Sequence, residues 1–315
     1  MILSASRRTD IPCYYGDWLV NRLKQGNVWV RNPMNSGQIS EIPLGTDVVD
    51  CIVFWTKDPQ RFLPCLDTID RMGYSYYFQF TLTPYGKQIE PNLRDKAGIV
   101  ETFQTLSRRI GKERVQWRYD PILFNERIGI GYHKELFQRM CETLSPYTET
   151  VIISFVDMYS RLRTPLVRPL RPEEMYELAE MIGKTAENYG IVPKSCCEED
   201  LSAYGIRKAS CIDKETLEKI CGYPLELRRD RGQRKNCGCV ESVDIGAYHT
   251  CPNGCVYCYA NHGQSAVQKN FLFHDPNSPF LCGGLKPGER LVQRGGKSHK
   301  SEQISLWEGR RENGN

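Results

Sequence analysis

The chain has 315 residues, 40% of them hydrophobic, and its net charge is +4. These values are typical of a soluble globular protein with one large or two small domains, and the charge alone does not indicate nucleic-acid binding. No apolar run approaches the ~18 residues that a membrane span needs. Arg7 and Arg8 follow the start too closely for a secretory signal. We therefore expect a cytoplasmic protein with no membrane partner.

Short β-branched or aromatic runs alternate with longer helix-like segments over the first two thirds of the chain. The spacing predicts strands near 1–6, 48–55, 74–82, 114–119, 150–156 and 191–195. It predicts helices near 15–25, 59–71, 94–110, 133–144 and 172–189, and the segment 26–47 is typical of an inserted hairpin. Such alternation indicates parallel βαβ units. The predicted fold class is therefore α/β, as a full or partial (β/α) barrel of the TIM type or a doubly wound sheet. The second is disfavoured because no G-x-G-x-x-G follows a strand.

Polar side chains lie just beyond or along several predicted strands. Since the loops after the strands carry the chemistry of a (β/α) barrel, the candidate catalytic residues are Arg7, Arg8, Asp10, Lys57, Arg118 and Asp120. Alternation along the third strand makes Gln79 and Thr81 candidate cofactor-binding residues. The cations suit a carboxylate or phosphate ligand. Structural Arg–Asp pairs would explain the same residues.

The 14 cysteines are unevenly placed. Four of them are scattered and are predicted to be buried small hydrophobes, namely Cys13, Cys51, Cys65 and Cys141. The other ten fall between Cys196 and Cys282. A disulfide framework is not expected without an export signal. The crowded cysteines therefore indicate metal ligation.

The strongest local motif is C-x₃-C-x₂-C at Cys251, Cys255 and Cys258, with Tyr257 before the last cysteine. Three thiolates on a short glycine-containing loop can hold three irons of a four-iron cluster and leave the fourth iron open. Open coordination indicates chemistry, whereas closed coordination indicates structure.

The remaining cysteines allow a second metal site. Its candidate ligands are Cys211, Cys237 and Cys239 together with Cys197, Cys196 or both. Free thiols near the same site would explain these residues equally. Cys221 and Cys282 are predicted to be structural.

The run CVYCYAN around the motif resembles the signature of the radical-SAM superfamily, and especially its spore-photoproduct-lyase-like branch. That resemblance implies a [4Fe-4S] cluster on Cys251, Cys255 and Cys258, with S-adenosylmethionine on the open iron. It implies reductive cleavage to a 5′-deoxyadenosyl radical, with Tyr257 near the cofactor and a flavodoxin- or ferredoxin-type electron donor as partner. Accessory clusters occur in several groups of the superfamily, so the second site would be a second iron–sulfur cluster.

Two departures from the superfamily concern order and cofactor binding. Its cysteine loop normally follows the first barrel strand, whereas here the loop follows a last predicted strand at 242–248, which suggests a permuted barrel. The Gly-Gly-Glu element has no clear counterpart, because Leu285 follows Gly283 and Gly284.

The whole chain also resembles the family catalogued as domain of unknown function 1848. The resemblance rests on SRRTDIP, FWTKDP, FTLTPYG, WRYDP and CVYCYAN and spans residues 1–285. It implies no substrate, so an anionic small molecule or a nucleic acid is expected. We predict a barrel body at 1–235, a cysteine-rich iron–sulfur region at 236–285 packed on the barrel mouth, and a flexible tail at 286–315.

Two other functions stay open. His249 and His262 flank the cysteine motif, so a Cys₃His zinc site beside the basic run 228–235 could bind nucleic acid. Alternatively, an iron–sulfur cluster serves structure or electron transfer alone.

Overall fold

The structure is a computed structural model, and it describes residues 1–158, 162, 164–234, 236–261 and 263–301. The strands are β1 (Ile2–Ala5), β2 (Asn27–Asn32), β3 (Asn35–Pro43), β4 (Cys51–Thr56), β5 (Tyr76–Thr81), β6 (Val115–Ile122), β7 (Thr150–Phe155), β8 (Val192–Ser195), β9 (Arg207–Lys208), β10 (Val243–Asp244) and β11 (Arg290–Gln293). The α-helices are α1 (Ile11–Tyr14), α2 (Gly16–Gln25), α3 (Leu66–Arg71), α4 (Lys96–Ile110), α5 (Ile130–Leu144), α6 (Pro172–Asn188), α7 (Lys214–Cys221) and α8 (Gln264–Leu272).

Eight strands form one parallel sheet in the order β10-β1-β4-β5-β6-β7-β8-β9. The α/β class and the predicted strand–helix alternation are confirmed. The expected full barrel is not formed, because the sheet does not close: β9 and β10 are its two edges within the described part of the chain. Each edge strand has only two residues, so neither offers much backbone for closing hydrogen bonds.

Alternate residues of the central strands face two separate cores. Ile52 and Phe54 of β4 pack in the larger core, and Cys51 and Val53 pack in a smaller core on the other face. A parallel sheet that is covered on both faces has strands that are apolar along their length. That is why β4 gave a continuous apolar run rather than alternation. The smaller core also contains Cys196 and other cysteines of the predicted second site.

A second sheet, with the order β11-β3-β2, accounts for the predicted hairpin at 26–47. β11 pairs with β3 in parallel. Ser298 donates to Asp50, and the amide of His299 donates to the same carboxylate at 2.8 Å. Residues 290–301 therefore make strand-pairing and side-chain contacts with the rest of the chain, and the flexibility expected of the tail stays a prediction. Residues 302–315 lie outside the described part.

His133 of α5 is fully buried. Its Nε2 lies 3.0 Å from the carbonyl of Leu123, and its Nδ1 lies 2.8 Å from the hydroxyl of Tyr119. A neutral imidazole that donates through Nε2 and accepts through Nδ1 satisfies both contacts. Burial lowers the pKa of His133 to about 4. Its role is therefore structural at neutral pH.

No helix of the described residues combines the length and the apolar composition needed to cross a membrane.

Candidate metal centres at the carboxyl edge of the sheet

The C-x₃-C-x₂-C loop follows β10, and β10 pairs with β1. It therefore begins at the carboxyl edge of the parallel sheet, where β1 also ends. Gly254 within it has a φ of +69°, and a Cβ there would lie 2.9 Å from Nδ2 of Asn92. Both the left-handed backbone and the close approach require glycine at this position.

Two other segments hold the loop in place. The hydroxyl of Tyr14 donates to Oδ1 of Asn253 at 2.8 Å, and Nδ2 of Asn253 donates to Asp10 at 3.2 Å. The amide of Val256 donates to the carbonyl of Ile89 at 3.0 Å. The loop is thus tied to the segments that follow β1 and β5.

Backbone amides affect the pKa of two of the three motif thiols. They are the amide of Asn253 for Cys251 and the amides of Ala260 and Asn261 for Cys258. Burial raises the pKa of both thiols, and these amides lower it in part. Amide donors to sulphur are the contacts that stabilise metal-bound thiolates.

A buried ion cluster adjoins Cys255, the remaining cysteine of the motif. Nζ of Lys57 lies 2.7 Å from Oε1 of Glu90, and Nζ of Lys96 lies 2.5 Å from Oε2. The hydroxyl of Tyr257 also donates to Glu90. Burial raises the pKa of Cys255, and the charge of Lys57 opposes that rise. The cluster thus connects the cysteine loop to the predicted strand-end lysine.

Glu90 is a site residue that the sequence did not reveal. Its side chain is fully buried, and although burial favours the neutral acid, the charges of Lys57 and Lys96 hold its pKa at about 2. Its position in the loop after β5, at the same sheet edge as the other candidates, is the signal that could have found it.

Five cysteines from three segments of the chain form a second cluster, which we call the five-cysteine centre. Their sulphurs form two groups of three, each with all members within 4.8 Å of one another, and Cys196 belongs to both. The groups are Cys196, Cys211 and Cys239, and Cys196, Cys197 and Cys237. These groups could hold a metal ion. Cys196, for which the sequence offered only an alternative role, is the shared member.

Arg118 connects this centre to the predicted strand-end residues. Its Nη1 donates to Sγ of Cys211 at 3.1 Å and to Oε1 of Gln79 at 3.2 Å, and its Nη2 is ion-paired with Asp120. Gln79 also donates to the carbonyl of Cys211 at 2.7 Å. The polar side chains predicted along β5 and β6 therefore bind one another and Cys211. Asp120 additionally accepts from Ser154.

The remaining candidates lie at the same edge. Arg8 donates to the carbonyl of Gly246 at 3.3 Å. Asp10 accepts from the amides of Lys57 at 2.7 Å and Cys13 at 3.1 Å, and burial raises its pKa to about 6. Asp10 therefore orders the backbone around the site. Thr81 is half-buried and pairs in register with Arg118.

Two arginines of the basic run, on which the zinc and nucleic-acid alternative depended, bind acceptors within the protein. Nε of Arg229 donates to the carbonyl of Cys237 at 2.8 Å, and Arg234 is ion-paired with Asp157. Arg229 of the basic run therefore supports the loop that holds Cys237. His262 lies outside the described residues.

Residues 2–260 match the family described as "Domain of unknown function (DUF1848)". The chain belongs to this family. The DUF1848 region includes both cysteine sites and ends before α8 and β11. The match to this family does not test the radical-SAM resemblance, which stays a prediction.

No curated protein matches the DUF1848 chain. A crystal structure from Bacteroides thetaiotaomicron VPI-5482, named a "putative alpha-L-fucosidase", aligns with 55% of this chain and 72% of its own length. The identity is 9% and the TM-score is 0.25. A similarity this low supports no statement about function.

Proposed function

We propose that the protein is an iron–sulfur enzyme of the radical-SAM type, with a [4Fe-4S] cluster on Cys251, Cys255 and Cys258. One observation carries the proposal: the cysteine loop follows β10, the edge strand beside β1, at the carboxyl edge of the parallel sheet. In the superfamily that the motif resembles, the loop follows the first strand of the barrel. The spatial order of strands supports the same arrangement in a permuted chain.

The spacing of the three sulphurs also favours a cluster over a single ion. Among the described cysteines, the groups of three whose sulphurs all lie within 4.8 Å of one another belong to the five-cysteine centre, so at least one sulphur pair of Cys251, Cys255 and Cys258 is farther apart than that. Wider spacing suits ligands of separate irons. Three ligands leave one iron open, as reaction with a cofactor requires.

Cys251, Cys255 and Cys258 would hold the cluster, which would supply one-electron reduction of the sulfonium of S-adenosylmethionine to methionine and a 5′-deoxyadenosyl radical, with the electron coming from a flavodoxin- or ferredoxin-type protein. The chain's own residues fix the loop and its charge. Lys57 favours negative charge at Cys255, and Glu90 holds both Lys57 and Tyr257 in place. An anionic small molecule is the favoured substrate, because Arg229 and Arg234 of the basic run bind protein acceptors.

Anaerobic purification with iron and sulfide analysis tests the cluster. We expect about four irons and four sulfides at this motif, and their loss in Cys255→Ala. Cys65→Ala is the matched control, because Cys65 is a half-buried thiol beside Gly16 and away from the motif. Zinc in place of iron at the motif would overturn the proposal.

Reduction in the presence of S-adenosylmethionine tests the reaction. Chromatography with mass detection should show 5′-deoxyadenosine from the wild type and the Cys65 variant and none from Cys255→Ala. A protein with an intact, reducible cluster that yields no 5′-deoxyadenosine would favour the structural or electron-transfer role instead.

A further inference from the structure

We propose that the four buried members of the five-cysteine centre bind a single zinc ion in tetrahedral thiolate coordination. The ligands are Cys196, Cys211, Cys237 and Cys239. The site is separate from the C-x₃-C-x₂-C loop and does not depend on a cluster being bound there.

Burial separates these four cysteines from the fifth. The exposed fractions are 6% for Cys196, 7% for Cys211, 3% for Cys237 and 2% for Cys239, whereas Cys197 is half-buried. Closed structural sites hold zinc with four protein ligands and no open position. Four enclosed thiols therefore form the ligand set, and Cys197 lies at its rim.

Four of the six sulphur pairs are spaced closely enough for one ion rather than a cubane. A zinc–sulphur bond of about 2.3 Å places tetrahedral sulphurs roughly 3.8 Å apart, and Sγ of Cys196 lies within 4.8 Å of those of Cys211, Cys239 and Cys237. The sulphurs of Cys211 and Cys239 are also within 4.8 Å of each other, whereas that of Cys237 is farther from both and would have to move towards them to bind the same ion. Soft thiolates in a tetrahedral set select zinc among single divalent ions. The spacing thus disfavours the second iron–sulfur cluster that the resemblance implied.

The backbone at Cys197 explains how two consecutive cysteines reach the centre. Cys197 has a φ of 65°, and its Sγ lies 3.8 Å from Sγ of Cys196. The left-handed region is disfavoured for a non-glycine residue, and such strain persists where the surroundings enforce it. The turn brings both sulphurs to one side of the loop, but it leaves that of Cys197 at the edge.

Two arginines match the charge that a loaded site would have. Four thiolates and one Zn²⁺ give a net charge of −2, and Nη1 of Arg118 already donates to Sγ of Cys211 at 3.1 Å. Nη2 of Arg7 is buried without a hydrogen-bond partner. Burial lowers the pKa of Arg7, but the fields of Cys239 and Cys211 help to raise it. A buried unpaired donor beside thiols indicates an anionic neighbour, which metal-bound thiolates provide.

Metal analysis of the full chain tests the site without activity. The triple variant Cys251→Ala/Cys255→Ala/Cys258→Ala removes the ligands of the proposed cluster, and we expect it to keep about one zinc per chain. Cys239→Ala should lose that zinc, whereas Cys197→Ala, its neighbour in the same centre, should keep it. Iron and sulfide in the triple variant, or equal loss from both single variants, would overturn the assignment.

X-ray absorption at the zinc edge tests the same zinc site in the unmodified protein, so no substitution can prevent folding. The spectrum of the unmodified protein should fit four sulphurs at about 2.3 Å. Nitrogen or oxygen ligands, or the absence of zinc from protein expressed with zinc, would refute the proposal. Arg7→Gln should weaken zinc binding by about 10-fold, as changes beside metal ligands do, and unchanged affinity would refute the charge argument.

Discussion

Glu90→Gln is expected to destabilise the folded protein strongly. The substitution keeps the shape of the side chain but removes the charge that neutralises Lys57 and Lys96, whose side chains are only 13% and 28% exposed. Removing one partner of a buried ion pair costs about 3–5 kcal/mol. The pKa supports that magnitude, because a fall from 4.5 to about 2 corresponds to roughly 3 kcal/mol of stabilisation by the charged form.

Urea denaturation at pH 7, followed by tryptophan fluorescence, measures the loss. Glu180→Gln is the matched control, since the ion pair of Glu180 with Lys184 is 54% and 72% exposed and should contribute less than about 1 kcal/mol. The folded pKa of Glu90 is lowered, so its contribution is present above pH 4.5 and is lost as the pH falls towards 2. Equal unfolding midpoints for the two variants at pH 7 would refute the reasoning.

Two further predictions concern the buried histidine and the glycine of the cysteine loop. Because the pKa of His133 is lowered from 6.5 to about 4, the unfolded chain binds a proton first, and stability should fall by about 3 kcal/mol as the pH drops through that window. Denaturation curves at several pH values should show this slope in the wild type and lack it in His133→Gln; the same slope in both would contradict the assignment. Gly254→Ala places a Cβ on a backbone with a φ of +69° and close to Asn92, so we expect a loss of about 1–2 kcal/mol and reduced iron content. Gly263→Ala, where nothing lies within 4 Å of an added Cβ, is the control, and equal iron in both would contradict the strain argument.

The regular elements could be predicted because their apolar patterns are local. β4 is a continuous apolar run, and α6 begins at Pro172 with a capping contact from Glu174. Closure of the sheet could not be predicted. Closure depends on the edge strands β9 and β10. Each has only two residues, which are too few to show a strand periodicity in the sequence.

The candidate site could be predicted where one short segment contains the pattern. The spacing of Cys251, Cys255 and Cys258 is visible in eight consecutive residues. Spacing could not choose between Cys196 and Cys197, because burial and a left-handed turn distinguish two adjacent cysteines. Contacts such as those of Glu90 join segments far apart in the chain, and no local pattern records them.

The position of β10 affects the order in which the protein can fold. Ser4 of β1 donates to Asp244 of β10 at 3.1 Å across a separation of 240 residues. At roughly 5–20 residues per second, a ribosome needs on the order of 10–50 seconds to synthesise that interval. One side of β1 therefore stays unpaired while that interval is made, as an edge open to wrong pairing. The cysteine loop follows β10, so metal delivery to it must also wait until that interval has been synthesised.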